Sequence, residues 1–202
     1  MPMTPTEEHA ALVELIGWSD RNRGDQELPA DERSMLAIGC FDVVLETQAA
    51  VAVLFTSGLN APMFALLRVI TEALVRGLWL LHCATEAELS KFKRGKIDLE
   101  FGELIGRVES QIGVTVPTLS NLKANAWAAL NGFTHTGFVQ VSRRHRPGNV
   151  GANYPESELG QSQALSGALG LVAAGQLAAM SGSEELLEAT MERMKAYAAG
   201  GI

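Results

Sequence analysis

The chain has 202 residues, 47% of them hydrophobic and 19% charged, with a formal net charge of −7. This length and balance describe one packed domain with a full apolar core and exclude a disordered or fibrous chain. The acidic balance excludes broad attraction to nucleic acid or anionic lipid, and two cysteines, Cys40 and Cys83, make neither a disulfide framework nor a zinc motif.

Met1-Pro2-Met3-Thr4 lacks a basic stretch followed by an apolar core, so the expected location is a reducing cytoplasm. Thr4-Pro5-Thr6-Glu7 combines a capping threonine, a tolerated proline and a glutamate three residues on, which predicts a helix to about Trp18. Ser19 to Pro29 reads as a polar loop. Ala30 to Ser57 has no proline and a single glycine, and Leu36, Phe41, Val44 and Leu45 recur at helical spacing, so a long second helix ended by Gly58 is expected.

Asn60 and Pro62 reopen a helix that runs to about Ala84, where Thr85 and Glu88 form a second capping box for a short helix. Phe101, Leu104, Ile105 and Val108 share one helical face, predicting a helix from about Asp98 to Gln111 with Gly113 as its cap. Val114-Thr115-Val116 is strand-like. A helix from Pro117-Thr118 to Gly137, a loop over Phe138 to Pro155, and helices over Glu156 to Met180 and Glu184 to Ala198 complete the chain.

Residues 1–202 therefore form a single all-α domain, a multi-helix bundle of about seven or eight helices with flexible ends at 1–5 and 199–202. Leu159 to Ser183 is uncharged and is the one segment that invites a membrane reading. Its Ala, Gly, Ser and Gln content favours a buried helix, so no membrane insertion is expected. Gly102, Gly106, Gly167, Gly170 and Gly175 lie inside predicted helices at about 1 kcal/mol each relative to Ala. Close helix packing offsets that cost, and such small-residue faces point to a homodimer.

At 100° per residue, Arg68, Thr71, Glu72, Val75, Arg76, Trp79 and His82 share one stripe of the third helix, opposite an apolar face that includes Leu66, Ile70, Leu74, Leu78 and Leu81. Two arginines bracketing a glutamate can hold a phosphate or carboxylate while the glutamate orients a guanidinium. The plainer alternative is a solvent-facing row of ion pairs worth a few tenths of a kcal/mol. Asn121, Ala124, Asn125, Ala128, Asn131, Gly132 and His135 form a small, neutral stripe on a later helix, which suits a pocket or a polar helix contact. The two stripes are expected to face each other across a shared cleft. His135 is there either as an acid-base group or as a hydrogen-bonded structural histidine.

Lys91-Phe92-Lys93-Arg94-Gly95-Lys96 and Arg143-Arg144-His145-Arg146 fall in predicted turns and read as solvated charge or as phosphate contacts. No phosphate-cradling glycine motif, metal-ligand spacing or nucleophile elbow is present, so no metal or cofactor is expected.

Leu67-Arg68-x3-Glu72-x3-Arg76-Gly77-Leu78-Trp79-Leu80, followed later by Leu130-Asn131-Gly132-Phe133-Thr134-His135-Thr136-Gly137, resembles bacterial all-helical families of unknown function related to the HEPN superfamily. The resemblance spans roughly Ala30 to Gly137. It implies a HEPN-like bundle, often dimeric, with a defence or RNA-directed role and, if enzymatic, metal-independent ribonuclease-like activity. The signature implied is an arginine, a polar residue and a histidine a few positions on. Arg76-x5-His82 meets the spacing, although Gly77 stands in the polar place and the pair lies mid-chain. Stripes and resemblance together name His135, Arg76 and Glu72 as catalytic candidates and Arg68, Asn131 and His82 as ligand-binding candidates. The alternative is a non-catalytic helical module that binds a protein partner or a small anionic ligand.

Overall fold

Capping chemistry sets where several helices begin. In a computed structural model describing residues 3–24, 26–97 and 99–199, α1 (Pro5–Arg23) opens with both halves of the expected box. The Thr4 hydroxyl accepts from Glu7 N–H, and the Glu7 carboxylate accepts from Thr4 N–H at 2.7 Å. Asp31 caps α2 (Glu32–Thr56) by accepting from Ser34 N–H. After α3 (Asn60–His82) the Thr85–Glu88 box opens α4 (Glu86–Lys93). Gly113, at φ 69°, closes α5 (Phe101–Ile112) in the left-handed region that glycine enters without strain.

The rest is α6 (Thr118–Thr134), α7 (Phe138–Ser142), the two-residue strands β1 (His145–Arg146) and β2 (Asn149–Val150), α8 (Glu156–Ser181) and α9 (Glu184–Ala198). The strands pair antiparallel, and everything else of regular structure among the described residues is helix. The all-α bundle is thereby established. At its centre runs α3, packed most extensively on α2 and also against α5, α6 and α8; α8 is in turn covered by α1, α2 and α9. Because neighbours surround it, α3 buries Met63, Ile70, Leu74, Val75, Trp79 and Leu80 almost completely. Each such side chain contributes about 1.5–3 kcal/mol.

Several local expectations need correction. α1 continues past Trp18 to Arg23, where Asn22 donates back to Trp18 C=O and Arg23 pairs with Asp20 on the same helix and with Asp42 of α2. Val114-Thr115-Val116 is a bend and no strand, having no neighbouring strand to pair with. The Phe138–Pro155 loop contains α7 and the β1–β2 hairpin, turned at Gly148 with φ 74°. α6 stops at Thr134, three residues before Gly137. Asp98, where the α5 helix was expected to begin, lies outside the described residues, as do 1–2 and 200–202 at the expected flexible ends; Met3 to Pro5 are described, and Pro5 already belongs to α1.

Among the described residues two helices, Glu32–Thr56 and Glu156–Ser181, are long and apolar enough to cross a membrane, not the second alone. Both lie within the bundle, where core helices pass the same test. The glycines of α8 serve packing inside the chain: Gly167 lies under the Tyr197 hydroxyl and Gly170 under the Gln48 amide. Gly102 lies under Lys123, while a β-carbon at Gly106 would meet nothing.

Gly77 is different in kind. A β-carbon there would sit 2.6 Å from Phe41 Cε1 and 3.1 Å from Cys40 Cβ, and Phe41 is itself fully buried. Gly77→Ala is expected to destabilise the fold by about 1–3 kcal/mol through overpacking. Gly106→Ala is expected to stabilise it by about 0.4–1 kcal/mol. Urea unfolding of both variants beside the parent chain checks the contrast; equal effects would contradict it.

Candidate polar site on α3 and the end of α6

Arg68, Glu72 and Arg76 lie one turn apart on α3, and the carboxylate between them ties both guanidiniums. Glu72 accepts from Arg68 Nε at 2.7 Å through Oε1 and pairs with Arg76 at 3.0 Å through Oε2. The Glu72 side chain is only 18% exposed, so the arrangement is not a plain solvated row. The middle of the expected stripe is in fact core. Thr71, Val75 and Trp79 are buried, and the Thr71 hydroxyl donates to Leu67 C=O.

The far edge of Arg68 reaches α6. Its NH1 donates to His135 Nε2 at 2.5 Å, which requires a neutral ring with the proton on Nδ1. The guanidinium carbon also stands 5.1 Å from the Trp127 ring centroid, and Trp127 stacks on Phe101 of α5 at 4.1 Å. α3 and α6 therefore hold the arginine between them, and α5 backs the tryptophan.

His135 is delivered by the turn that ends α6. Its N–H donates to Asn131 C=O, Thr136 takes a positive φ of 55°, and Gly137 N–H donates to Gly132 C=O at 2.7 Å. A β-carbon on Gly137 would lie 2.9 Å from Gly132 Cα, so the tight return needs glycine there. Thr134 donates to Leu130 C=O and to Ala65 C=O of α3, and Phe133 stacks on Phe64. These contacts clamp the end of α6 onto α3.

The structure thus brings Arg68, Glu72, Arg76 and His135 together. Asn131 is on α6, half-buried, with its side-chain carbonyl buried and without a partner among the described residues. His82 is elsewhere: its Nε2 contacts Gln176 Oε1 on α8 at 2.9 Å. Arg76 and His82 therefore engage different neighbours, and Gly77 between them is occupied by the Phe41 contact.

What the stripes did not announce is the cavity beside them. Arg76, Trp79, Phe92, Gly95, Ile97, Leu99, Phe101 and Leu104 line a space of about 220 Å³. Trp79 is fully buried, and its indole N–H has no acceptor among the described residues. The only sequence signal was that a tryptophan fell within the polar stripe rather than on the apolar face. Arg107 lies over the Trp79 ring at 5.7 Å, donating to both oxygens of Glu88 and to Cys83 C=O.

Of the basic runs, Lys93 pairs with Glu32 and Arg143 with Glu158, while Lys91, Arg94 and Lys96 are exposed. Among the described residues no cluster of three or more His, Cys, Asp or Glu side chains is placed to hold a metal.

Glu72→Gln is expected to cost about 1–3 kcal/mol in urea unfolding, between the value of an exposed pair and that of a buried one. A loss within error of zero would mean that the clamp has no structural weight. Hydrogen bonds from Arg107, reinforced by those from Thr85, hold the Glu88 carboxyl down from 4.5 to about 2. A depressed acid contributes stability above its unfolded value, so this contribution is expected to fall away as pH drops from about 4.5 to about 2. Acid titration of Glu88→Gln should lack that component, and a curve parallel to the parent's would refute the assignment.

No curated protein and no solved structure matches the chain. Residues 41–199, most of the chain and all of the site, match the family of unknown function DUF6988, and the protein belongs to that family.

Proposed function

We propose that the Arg68–Glu72–Arg76 row of α3 is a non-catalytic recognition site for a small ligand bearing one anionic group. The observation that carries this reading is the Glu72 clamp: one carboxylate fixes two guanidiniums but cancels only one of their two charges. Arg68 is committed to His135 and Trp127, whereas the Arg76 side chain is 44% exposed and stands at the cavity. A pre-positioned guanidinium binds an oxyanion without first losing rotamer freedom. Calorimetric titration with acetate and with inorganic phosphate tests it. Arg76→Gln is expected to weaken binding about tenfold or more, and an unchanged affinity would remove Arg76 from the site.

A second reading is that of a HEPN-like, RNA-directed domain, favoured by the Arg68–His135 contact. An arginine stabilises the charge that develops on an attacked phosphate, and a histidine moves the proton of the attacking 2′-hydroxyl. Arg76 and His82, the pair that the signature implies, do not support it, since they engage different elements. Metal-free incubation with total RNA separates the readings: cleavage lost in His135→Ala favours the second, and intact RNA ends it.

A further inference from the structure

Gly102, Gly167 and Gly170, three of the glycines from which a homodimer was expected, lie under side chains of their own chain. The apolar surface left open is a different one, on the outer side of the α2–α3 pair. α2 carries Leu36, Cys40, Val43, Thr47, Ala50 and Leu54 at 4-3-4-3-4 spacing, and α3 carries Leu66, Val69 and Ala73 at 3-4 spacing. None of the six on α2 is fully buried, and Val43 and Val69 are 41% and 40% exposed. Leu36, Cys40, Val43, Val69 and Ala73 line one groove of about 640 Å³. A β-carbon at Gly39, in the same groove, would meet nothing, and the most apolar stretch of α2 is only a third buried.

A 4-3 repeat is the spacing by which one helix seats its side chains between those of another. Neither a lipid surface nor a small ligand calls for it. The three residues between α2 and α3 make the two helices antiparallel neighbours, and both carry the outer seam, so the cover that satisfies both is a second helix pair. Charge selects which pair. Turning round α3 from Gly77, which faces Phe41 of α2, at 100° per residue the order is Ala73, Val69, Arg76, Glu72; on α2, moving away from α3, it is Cys40, Leu36, Val43, Ala50, Glu46, Asp42. One border of the seam therefore begins with an arginine, and the other is acidic.

We infer that this surface is a dimer face, on which two copies of the chain join their α2–α3 pairs into a four-helix bundle about a two-fold axis parallel to the helices. Each α3 then lies antiparallel on α2 of the other copy, so that every helix has antiparallel neighbours, as in an up-and-down bundle. Arg76, which borders the groove beside Cys40, comes level with Asp42 of the second copy and within a turn of its Glu46. Opposite charges thus meet at both edges, which favours this partner and orientation. From Leu36 to Leu54 the seam is about 27 Å long and, across two helices, about 20 Å wide. Two copies bury roughly 1,000 Å² between them, the least that a specific interface needs. The inference goes beyond the anion reading and does not rest on it.

Sedimentation equilibrium of the full chain, from micromolar to sub-millimolar concentration, is expected to give twice the chain mass of 21.6 kDa. Val43→Asp and Val69→Asp, both at exposed positions, are each expected to weaken association at least about a hundredfold, because symmetry places every such carboxylate in the seam twice. Val150→Asp, at an exposed valine of the hairpin, is expected to leave the mass unchanged. A two-fold axis parallel to the helices sets each seam residue across from itself, so Leu36→Cys, in a Cys40→Ser, Cys83→Ser background, is expected to join two copies through a short bismaleimide. A monomer throughout the concentration range overturns the inference, and vesicle binding by that monomer would give the face to lipid instead. A dimer indifferent to Val43→Asp and Val69→Asp overturns the face, and a dimer that does not cross-link through position 36 overturns the parallel axis.

Discussion

Gly77 lets α3 approach α2 until the space for a β-carbon is taken by Phe41 and Cys40. The angular register of α3 follows from that contact. With Gly77 turned to α2, Trp79 lies about 200° away and faces the side of α5 and α6, and Arg76 lies about 100° away at the border between core and site. Arg68 and Glu72 fall on the same border two turns and one turn earlier. A larger residue at 77 would rotate or displace α3, and the site would lose both its charged edge and its aromatic wall. For the same reason a polar side chain at this position would have no room and no partner against Phe41.

Charge inside the bundle is handled by sharing carboxylates. Glu88 serves three groups at once, the Thr85 N–H, the Thr85 hydroxyl and the Arg107 guanidinium. It therefore caps α4 and anchors α5 with one side chain, and through Arg107 it also fixes Trp79. Glu72 does the corresponding work on α3 for Arg68 and Arg76. In each case a partly desolvated carboxylate has more than one donor, which is what keeps such a group from destabilising the fold. The two systems meet at the cavity, one supplying its arginine and the other holding its tryptophan in place.

The aromatic residues give the site its rigidity. Phe133 and Tyr154 stack on Phe64, so α6 and the segment before α8 lean on the same ring of α3. Phe101 and Trp127 stack between α5 and α6, with Arg68 over the indole. Stacked rings transmit position with little freedom, at about 0.5–1.5 kcal/mol beyond their buried area. A ligand of the kind proposed for Arg76 would encounter a surface ordered in advance, which lowers the entropic cost of association.

Helix starts and stops were legible in the sequence because they depend on neighbours a few residues apart: the Thr4 and Thr85 boxes, the Ser183 cap and the left-handed Gly113 all lie where local chemistry places them. Local chemistry also marked Arg68, Glu72 and Arg76 as one row and placed His135 on a face of asparagines and small residues. It could not say that Val75 and Trp79, in the middle of that row, would be buried, nor that His82 would turn to α8. The hairpin after α7 and the extra turn of α1 were likewise invisible, since each depends on partners that composition does not reveal. Only tertiary structure decided that Arg68 meets His135 across 67 residues of chain, and that the buried Trp79 lies beside a cavity. Both follow from how far apart packed helices come to rest, a distance set by side chains such as Phe41 and Gly77 on elements that periodicity treats one at a time.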